Sequence, residues 1–165
     1  MPATVLQINT SHGGVPKRPI AEGFVTPLGI EGDLCAHPAI HGGPEQALLL
    51  IAREAVDELS GNGYALYYGA LGENITTDGL DRKSLRSGQR YRIGSEVIIE
   101  LTRLRAPCNT LDTYDPLLKN ELWDRKLKAG DASSPRWARA GFYARVIQTG
   151  SIRPGAPVVL LGEDA

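Results

Sequence analysis

The sequence has few of the features that mark membrane-spanning, secreted or nucleic-acid-binding proteins. Its longest apolar run, Ala47 to Ala52, is far too short to cross a bilayer, and its first residues contain no basic segment followed by a cleavable apolar stretch. Lysine and arginine total 18 against 19 acidic residues, so the net charge of −1 attracts neither nucleic acid nor an anionic membrane. We expect a cytoplasmic protein that binds neither of them.

Cysteine is also scarce. Cys35 and Cys108 lie far apart in a chain without secretory signals, which favours two free thiols over a disulfide. Two phenylalanines against 19 glycines and 11 prolines indicate many turns between short elements. The 165 residues, 42% hydrophobic and 22% charged, fit a single globular domain over residues 1–165.

Short apolar runs predict a fold rich in strands. The predicted strands are Thr4–Asn9, Ile20–Thr26, Glu73–Thr77, Gln89–Ile93, Glu96–Leu104, Phe142–Thr149 and Pro157–Leu161. Helices are predicted from Pro44 to about Ser60 and from Pro116 to Lys128, and an irregular loop runs from Leu28 to Gly43. Because closure removes exposed strand edges, we predict a mostly β protein with inserted helices (α+β), built as a closed or nearly closed β-barrel; an open mixed sheet is the alternative.

The segment His41-Gly42-Gly43-Pro44 joins the loop to the first predicted helix. Its two glycines would let backbone N–H groups approach an anion at the positive end of the helix dipole. The same residues would equally serve to turn the chain and cap the helix. Both interpretations remain open from the sequence.

A thiol follows the strand that ends at Leu104. Pro107 keeps Ala106 extended and stops the strand, which presents Cys108 at the strand end. A lone free cysteine is more often a small buried hydrophobic residue. Strict alternation would place Arg103 and Arg105 on the face opposite Cys108, so activation of the thiol by these arginines would require a local twist.

Four further polar side chains are candidates for a site. Asn74 offers a donor and an acceptor to a heterocycle, and Arg145 has the planar fork that suits phosphate. Asp112 and Asp115, just after the thiol, are proton donors or turn residues. Each of them has a purely structural alternative.

A zinc site is a further hypothesis. Cys35, His37 and His41 have the spacing C-x-H-x₃-H, which Cys108 or Asp33 would complete. The second cysteine pair of a zinc finger is missing, so a solvated loop is favoured over zinc.

Several of these segments occur together in a recognisable order. They are Gly32-Asp33, His41-Gly42-Gly43-Pro44, Leu71-Gly72-Glu73-Asn74-Ile75, Gly88-Gln89-Arg90-Tyr91-Arg92-Ile93-Gly94, Pro107-Cys108 and Gly141-Phe142-Tyr143-Ala144-Arg145-Val146. In this order the chain resembles a MOSC domain over roughly residues 28 to 161.

The resemblance implies a barrel-like fold that binds the molybdenum cofactor, molybdopterin. It implies that Cys108 ligates molybdenum, a role that suits a soft thiolate. It places the turn of His41, Gly42 and Gly43, together with Arg145, at the cofactor phosphate. It places Asn74 at the pterin ring.

The leading functional hypothesis is an oxidoreductase that reduces small N-hydroxylated substrates at thiolate-ligated molybdenum, with Asp112 or Asp115 supplying protons. The alternative is a non-redox module that carries a persulfide on Cys108 or shelters the cofactor, and the zinc-stabilised domain ranks third. No flavin or nicotinamide fingerprint and no pyridoxal-phosphate desulfurase domain is recognisable in these residues. We therefore expect a separate electron donor or cysteine desulfurase as partner.

Overall fold

The computed structural model describes residues 2–35 and 42–162, and strands dominate both ranges. The strands are β1 (Ala3–Thr10), β2 (Arg18–Ile20), β3 (Gly23–Thr26), β4 (Gly29–Ile30), β5 (Leu48–Ala52), β6 (Ile75–Asp78), β7 (Arg90–Ile93), β8 (Val97–Leu104), β9 (Phe142–Gln148), β10 (Gly150–Ile152) and β11 (Pro157–Leu160). The helices are α1 (Arg53–Gly61), α2 (Leu118–Leu122) and α3 (Arg125–Lys128), with short 3₁₀ turns at Pro44–Gln46, Arg82–Ser84 and Asn109–Thr113. In these two ranges no helix has the length and apolar character needed to span a membrane.

Seven strands close a barrel, which confirms the predicted mostly β fold. The order around the barrel is β1, β11, β7, β8, β9, β5 and β6, and β6 pairs again with β1. Neighbouring strands are antiparallel except β5 and β6, which are parallel and connected through α1. β2 extends the barrel beside β1, and β10, β3 and β4 form a separate three-stranded sheet.

The barrel interior is filled by alternating strand residues, as β8 illustrates. Val97, Ile99 and Leu101 are buried, and Ile99 lies opposite Tyr91 of β7. Side chains of a strand alternate between faces, so every second residue enters the core. A second apolar cluster lies outside the barrel, where α1 and α2 pack against the other face of β5.

The predicted helix from Pro44 to Ser60 is wrong over its first half. Pro44–Gln46 forms a 3₁₀ turn, Leu48–Ala52 is strand β5, and only Arg53–Gly61 is helical. Leu48 and Leu50 belong to the barrel core, whereas Leu49 and Ile51 belong to the outer cluster. A strand that is apolar on both faces has no alternating pattern, so its periodicity does not distinguish it from a buried helix.

The second predicted helix is interrupted. Pro116–Lys128 contains α2 and α3, separated at Trp123 and Asp124. Asp124 caps α3 by accepting a hydrogen bond from the Leu127 N–H at 2.8 Å, and its other carboxylate oxygen accepts one from Ser134 at 2.6 Å. An aspartate that caps a new helix ends the preceding one, because its own backbone is extended.

One predicted strand is divided between the two sheets: Ile20–Thr26 separates into the end of β2 and β3. The predicted strand Phe142–Thr149 is confirmed as β9, which ends one residue earlier, at Gln148. The predicted loop from Leu28 to Gly43 begins with β4. Gly29 adopts φ +124°, and a Cβ there would lie 2.5 Å from the Ala47 carbonyl oxygen, so this turn packs directly against the residue before β5.

Candidate functional site

An open cavity lies where the ends of several strands and their connecting loops meet. Its volume is about 140 Å³, and it opens to solvent on one side. Its apolar lining includes Val15, Leu28, Leu34, Ala47, Leu49 and Leu71, and its polar lining includes Lys17, Asp33, Cys35, Gln46, Asn74, Arg105, Cys108, Thr110 and Tyr143. Polar groups that converge within an apolar wall are typical of a binding site.

Cys108 lies in the cavity wall, at the place where the sequence predicts a presented thiol. β8 ends at Leu104, and the Arg105 N–H donates to the Gly141 carbonyl at 2.9 Å, which holds the following segment beside β9. The thiol is half-buried, and its Sγ lies 2.7 Å from the hydroxyl oxygen of Thr110. The thiol is therefore positioned by a local hydrogen bond and remains in contact with the cavity.

A hydrogen-bonded network holds the opposite wall. The Asp33 carboxylate accepts from the Lys17 ammonium at 2.6 Å, from the Asn74 side-chain amide at 2.9 Å and from the Ser11 N–H at 2.9 Å. The side-chain carbonyl oxygen of Asn74 (Oδ1) accepts a hydrogen bond from the Leu49 N–H at 3.0 Å, which connects the network to β5. Both groups of the Asn74 amide are thus engaged, and its orientation is set by the fold.

Tyr143 lines the cavity from β9. Burial raises the pKa of its hydroxyl, and the nearby charge of Arg105 offsets part of that rise, whereas Cys108 adds to it. A tyrosine with a raised pKa stays protonated at neutral pH and donates a hydrogen bond. Tyr143 therefore presents a proton-bearing group near the thiol.

Glu73 lies behind this wall, between Gly72 and Asn74, which both line the cavity. It is completely buried, and burial raises the pKa of its carboxyl group to about 7. The Thr76 hydroxyl donates to one carboxyl oxygen at 3.2 Å, and the other has no hydrogen-bond partner in residues 2–35 and 42–162. The backbone N–H groups of Glu73 and Gly69, the Thr76 hydroxyl and the charge of Arg105 offset only part of the effect of burial, so the charged form remains disfavoured.

The structure brings together only part of the predicted site. Cys108, Asn74 and Gly42 line one cavity, and Gly43 lies next to its wall with φ +98°. His41 lies outside the described residues. The predicted roles of these residues toward a cofactor remain predictions.

The predicted helix dipole at this turn does not exist. The chain after Gly43 forms a three-residue 3₁₀ turn and then strand β5, and the first α-helix begins only at Arg53. A single 3₁₀ turn has no appreciable macrodipole, so any anion binding at Gly42 and Gly43 would depend on their backbone N–H groups alone.

Arg145 and Asp112 do not line the cavity. Arg145 pairs with Glu100 at 2.6 Å on the outer face of β9, and the hydrogen bonds that Glu100 accepts from Arg90 and Arg145 lower the pKa of its carboxyl group.

The two aspartates after the thiol have local partners. The Asp112 carboxylate lies 3.5 Å from the Lys119 ammonium. Asp115 accepts from the Leu117 N–H at 2.7 Å and is a turn residue. The positions of Arg145 and Asp112 therefore give no support to their predicted roles.

The structure describes only one of the three residues predicted to bind zinc, Cys35. Cys35 lines the cavity with Asp33 and Cys108, but His37 and His41 lie outside the described residues. Among the residues that the structure does describe, no group of three or more histidine, cysteine or acidic side chains is arranged to hold a metal ion.

Sequence reasoning missed several residues of the cavity. The sequence patterns do not mark Lys17 or Tyr143 as site residues, and strand alternation predicts that Arg105 lies on the face opposite Cys108. Arg105 reaches the same cavity as Cys108 because regular strand alternation ends at Leu104. The RAPC segment signalled a change of backbone direction, but the side-chain directions after it required the fold.

Comparisons with known proteins agree with this architecture. A family model described as "MOSC domain" matches residues 37–159. The chain is 29% identical over 142 residues to Protein YiiM of Escherichia coli, covering 84% of this chain and 58% of the relative, so it spans little more than half of that protein. It is 30% identical over 142 residues to a protein named "Reductase" from Gibberella moniliformis, covering 84% of this chain and 23% of that protein.

Among solved structures, that of YiiM from Geobacillus stearothermophilus aligns with a TM-score of 0.72 and 26% identity, covering 98% of this chain and 76% of the other. The family model covers most of the chain, and the same barrel occurs in a solved relative. The chain belongs to the MOSC domain family.

Proposed function

We propose that this protein binds the molybdenum cofactor in the cavity described above and reduces small N-hydroxylated compounds, with Cys108 as the protein ligand to molybdenum. The observation that carries the proposal is the position of Cys108 in the wall of an open cavity. Its family is associated with this cofactor, and a relative bears the name "Reductase". A soft thiolate is the ligand type that suits a metal already held by sulfur.

The residues present fit the cofactor. The cavity is open, contains an accessible thiol, and includes the buried cation Arg105 at the same end. The negative charges of a phosphorylated, sulfur-rich cofactor require such a cation. Gly42 and Asn74 would contact the group, and Asn74 would do so from an orientation fixed by Asp33 and the Leu49 N–H.

When bound, the cofactor supplies the two-electron redox chemistry. The chain's own residues supply binding, orientation and protons. Reduction of an N-hydroxyl group to an amine and water consumes two protons along with the two electrons. Tyr143 is protonated and lines the cavity, so we assign the hydrogen bond to the departing oxygen to Tyr143 rather than to Asp112. The electrons come from a separate donor protein.

The test uses protein produced in a host that makes the cofactor. Bound molybdenum is measured, and an amidoxime or hydroxylaminopurine is offered with an artificial electron donor. We expect Cys108→Ser to lose the metal and the activity. Cys35→Ser is the matched thiol variant and should retain molybdenum. Full metal content and activity in Cys108→Ser would refute the ligand role.

A second candidate function is a persulfide carrier, and the observation that favours it is a second thiol, Cys35, in the same cavity. A sulfur carrier would receive its sulfur from a cysteine desulfurase and hold it on Cys108. Mass spectrometry of freshly purified protein separates the two functions. One extra sulfur on Cys108, removed by a reductant in protein without molybdenum, would support the carrier.

A further inference from the structure

Arg105 is a buried cation without an ion-pair partner among the described residues. Its charge acts on the buried Glu73 carboxyl group, but that carboxyl lies beyond ion-pair distance and its pKa stays raised to about 7. The exposure of Arg105 is 5%, and its guanidinium makes one hydrogen bond, from Nη1 to the Ala140 carbonyl oxygen at 3.3 Å. Within residues 2–35 and 42–162, no carboxylate oxygen lies within 4.0 Å of it. Charged side chains are rarely buried unless they are paired, because removal from water is costly.

The other buried arginines show how this fold normally neutralises such a charge. Arg82 and Arg139 are 8% and 9% exposed, and both pair with Glu58, at 3.4 and 2.7 Å. Arg105 lacks an equivalent carboxylate in the described part of the chain. Its charge is therefore available to a group that is not part of that structure.

Arg105 directs this charge into the cavity. It lines the wall with Cys108 and Tyr143, and its charge and that of Cys108 both act on the Tyr143 hydroxyl. The other cation of the described wall, Lys17, is already matched by Asp33 at 2.6 Å. The unbalanced positive charge thus lies at the thiol end.

We propose that Arg105 makes the thiol end of this cavity a binding site for an oxyanion. A guanidinium whose hydrogen-bond donors are mostly free is well suited to two oxygens of one phosphate or carboxylate. The oxyanion belongs either to a cofactor or to a substrate. The site does not depend on the proposed reductase activity, because its oxyanion binding can be measured on protein without cofactor.

The experiment compares two alkylating reagents that differ in charge. In a Cys35→Ser background without cofactor, Cys108 is alkylated with anionic iodoacetate and with neutral iodoacetamide. Both reagents attack the thiolate, so the ratio of their rates cancels the thiolate fraction and reports the local preference for an anion. Removal of one nearby charge from a desolvated site should lower this ratio by roughly 5- to 20-fold in Arg105→Met.

The matched control is Arg103→Met, which removes an exposed arginine two residues earlier. The charge of Arg103 also acts on the Tyr143 hydroxyl, but less strongly than that of Arg105, so this variant should change the rate ratio far less than Arg105→Met. Arg105→Lys should keep much of the preference, because the charge remains. Inorganic phosphate should slow the iodoacetate reaction in protein with Arg105, relative to chloride at equal ionic strength, and should have no such effect in Arg105→Met.

An unchanged ratio in Arg105→Met, or an equal fall in Arg145→Met, would overturn the proposal. If Arg105→Met does not fold, lack of phosphate protection in the protein that retains Arg105 would overturn it as well. Calorimetric titration of inorganic phosphate into cofactor-loaded protein then identifies the source of the oxyanion. If cofactor-loaded protein still binds phosphate, the site is free for an oxyanion of the substrate. If it no longer binds phosphate, the cofactor's own oxyanion occupies the site.

Discussion

Replacement of Glu73 by glutamine should make the protein more stable at neutral pH. The Glu73 carboxyl group is completely buried, one of its oxygens has no partner in the described residues, and burial raises its pKa from the ordinary value of 4.5 to about 7. The folded protein therefore binds this proton more tightly than the unfolded chain does. Below pH 4.5 the carboxyl group is neutral in both states and causes no loss of stability.

The size of the effect follows from the pKa difference. Between pH 4.5 and 7 the unfolded chain releases the proton while the folded protein retains it, so the free energy of unfolding falls by about 1.4 kcal/mol per pH unit. The total loss approaches about 3 kcal/mol and is constant above pH 7. Glutamine has nearly the same shape and does not titrate, so the variant should avoid this loss.

The assay is urea unfolding of the wild type and Glu73→Gln from pH 4 to pH 8. The difference between their unfolding free energies should grow in favour of glutamine across the window from 4.5 to 7. Glu31→Gln is the control, because the Glu31 side chain is exposed and stays largely in water in both states. A difference between wild type and Glu73→Gln that does not vary with pH would refute the reasoning.

Two further predictions concern the walls of the cavity. Gly29→Ala should cost about 2 kcal/mol or more of stability, because the new Cβ would lie 2.5 Å from the Ala47 carbonyl oxygen at φ +124°. Thermal unfolding checks this against Gly61→Ala, where nothing lies within 4 Å and no comparable loss is expected. Asp33→Asn should cost about 2 to 4 kcal/mol, because it leaves a mostly buried ammonium group without its countercharge. The exposed Asp57→Asn should cost about 1 kcal/mol or less in the same urea unfolding assay, and equal losses for the two aspartates would contradict the assigned difference in burial.

Much of the barrel was predictable because its strands have one buried and one partly exposed face. The alternation of Val97, Ile99 and Leu101 predicts β8, and the Gly94-Ser95 pair predicts its hairpin with β7. The prediction failed at β5, where neighbouring leucines enter different cores and the alternation disappears. It also failed between α2 and α3, where the Asp124 cap overrides a continuous apolar stripe.

The candidate site was predictable at Cys108, Gly42 and Asn74, because Pro107, the paired glycines and the family blocks are local signals. The distant residues that complete the cavity had no such signal. Lys17 approaches Asn74 because both bind the Asp33 carboxylate, and because the strands that follow them, β2 and β6, both pair with β1. Arg145 matches a family block and yet pairs with Glu100, because it lies two residues farther along β9 than Tyr143, the residue of this strand that lines the cavity.

The amino-acid sequence alone predicts the family, the mostly β barrel and the position of the Cys108 thiol after a strand, because all three follow from local patterns and short motifs. The tertiary structure alone decided which charges are matched. Two buried arginines, Arg82 and Arg139, pair with Glu58, and Arg139 also pairs with Glu121. Asp33 pairs with Lys17, whereas Arg105 has no ion-pair partner within the described residues. Charge pairing depends on distances between segments far apart in the chain, and closure of the barrel sets those distances.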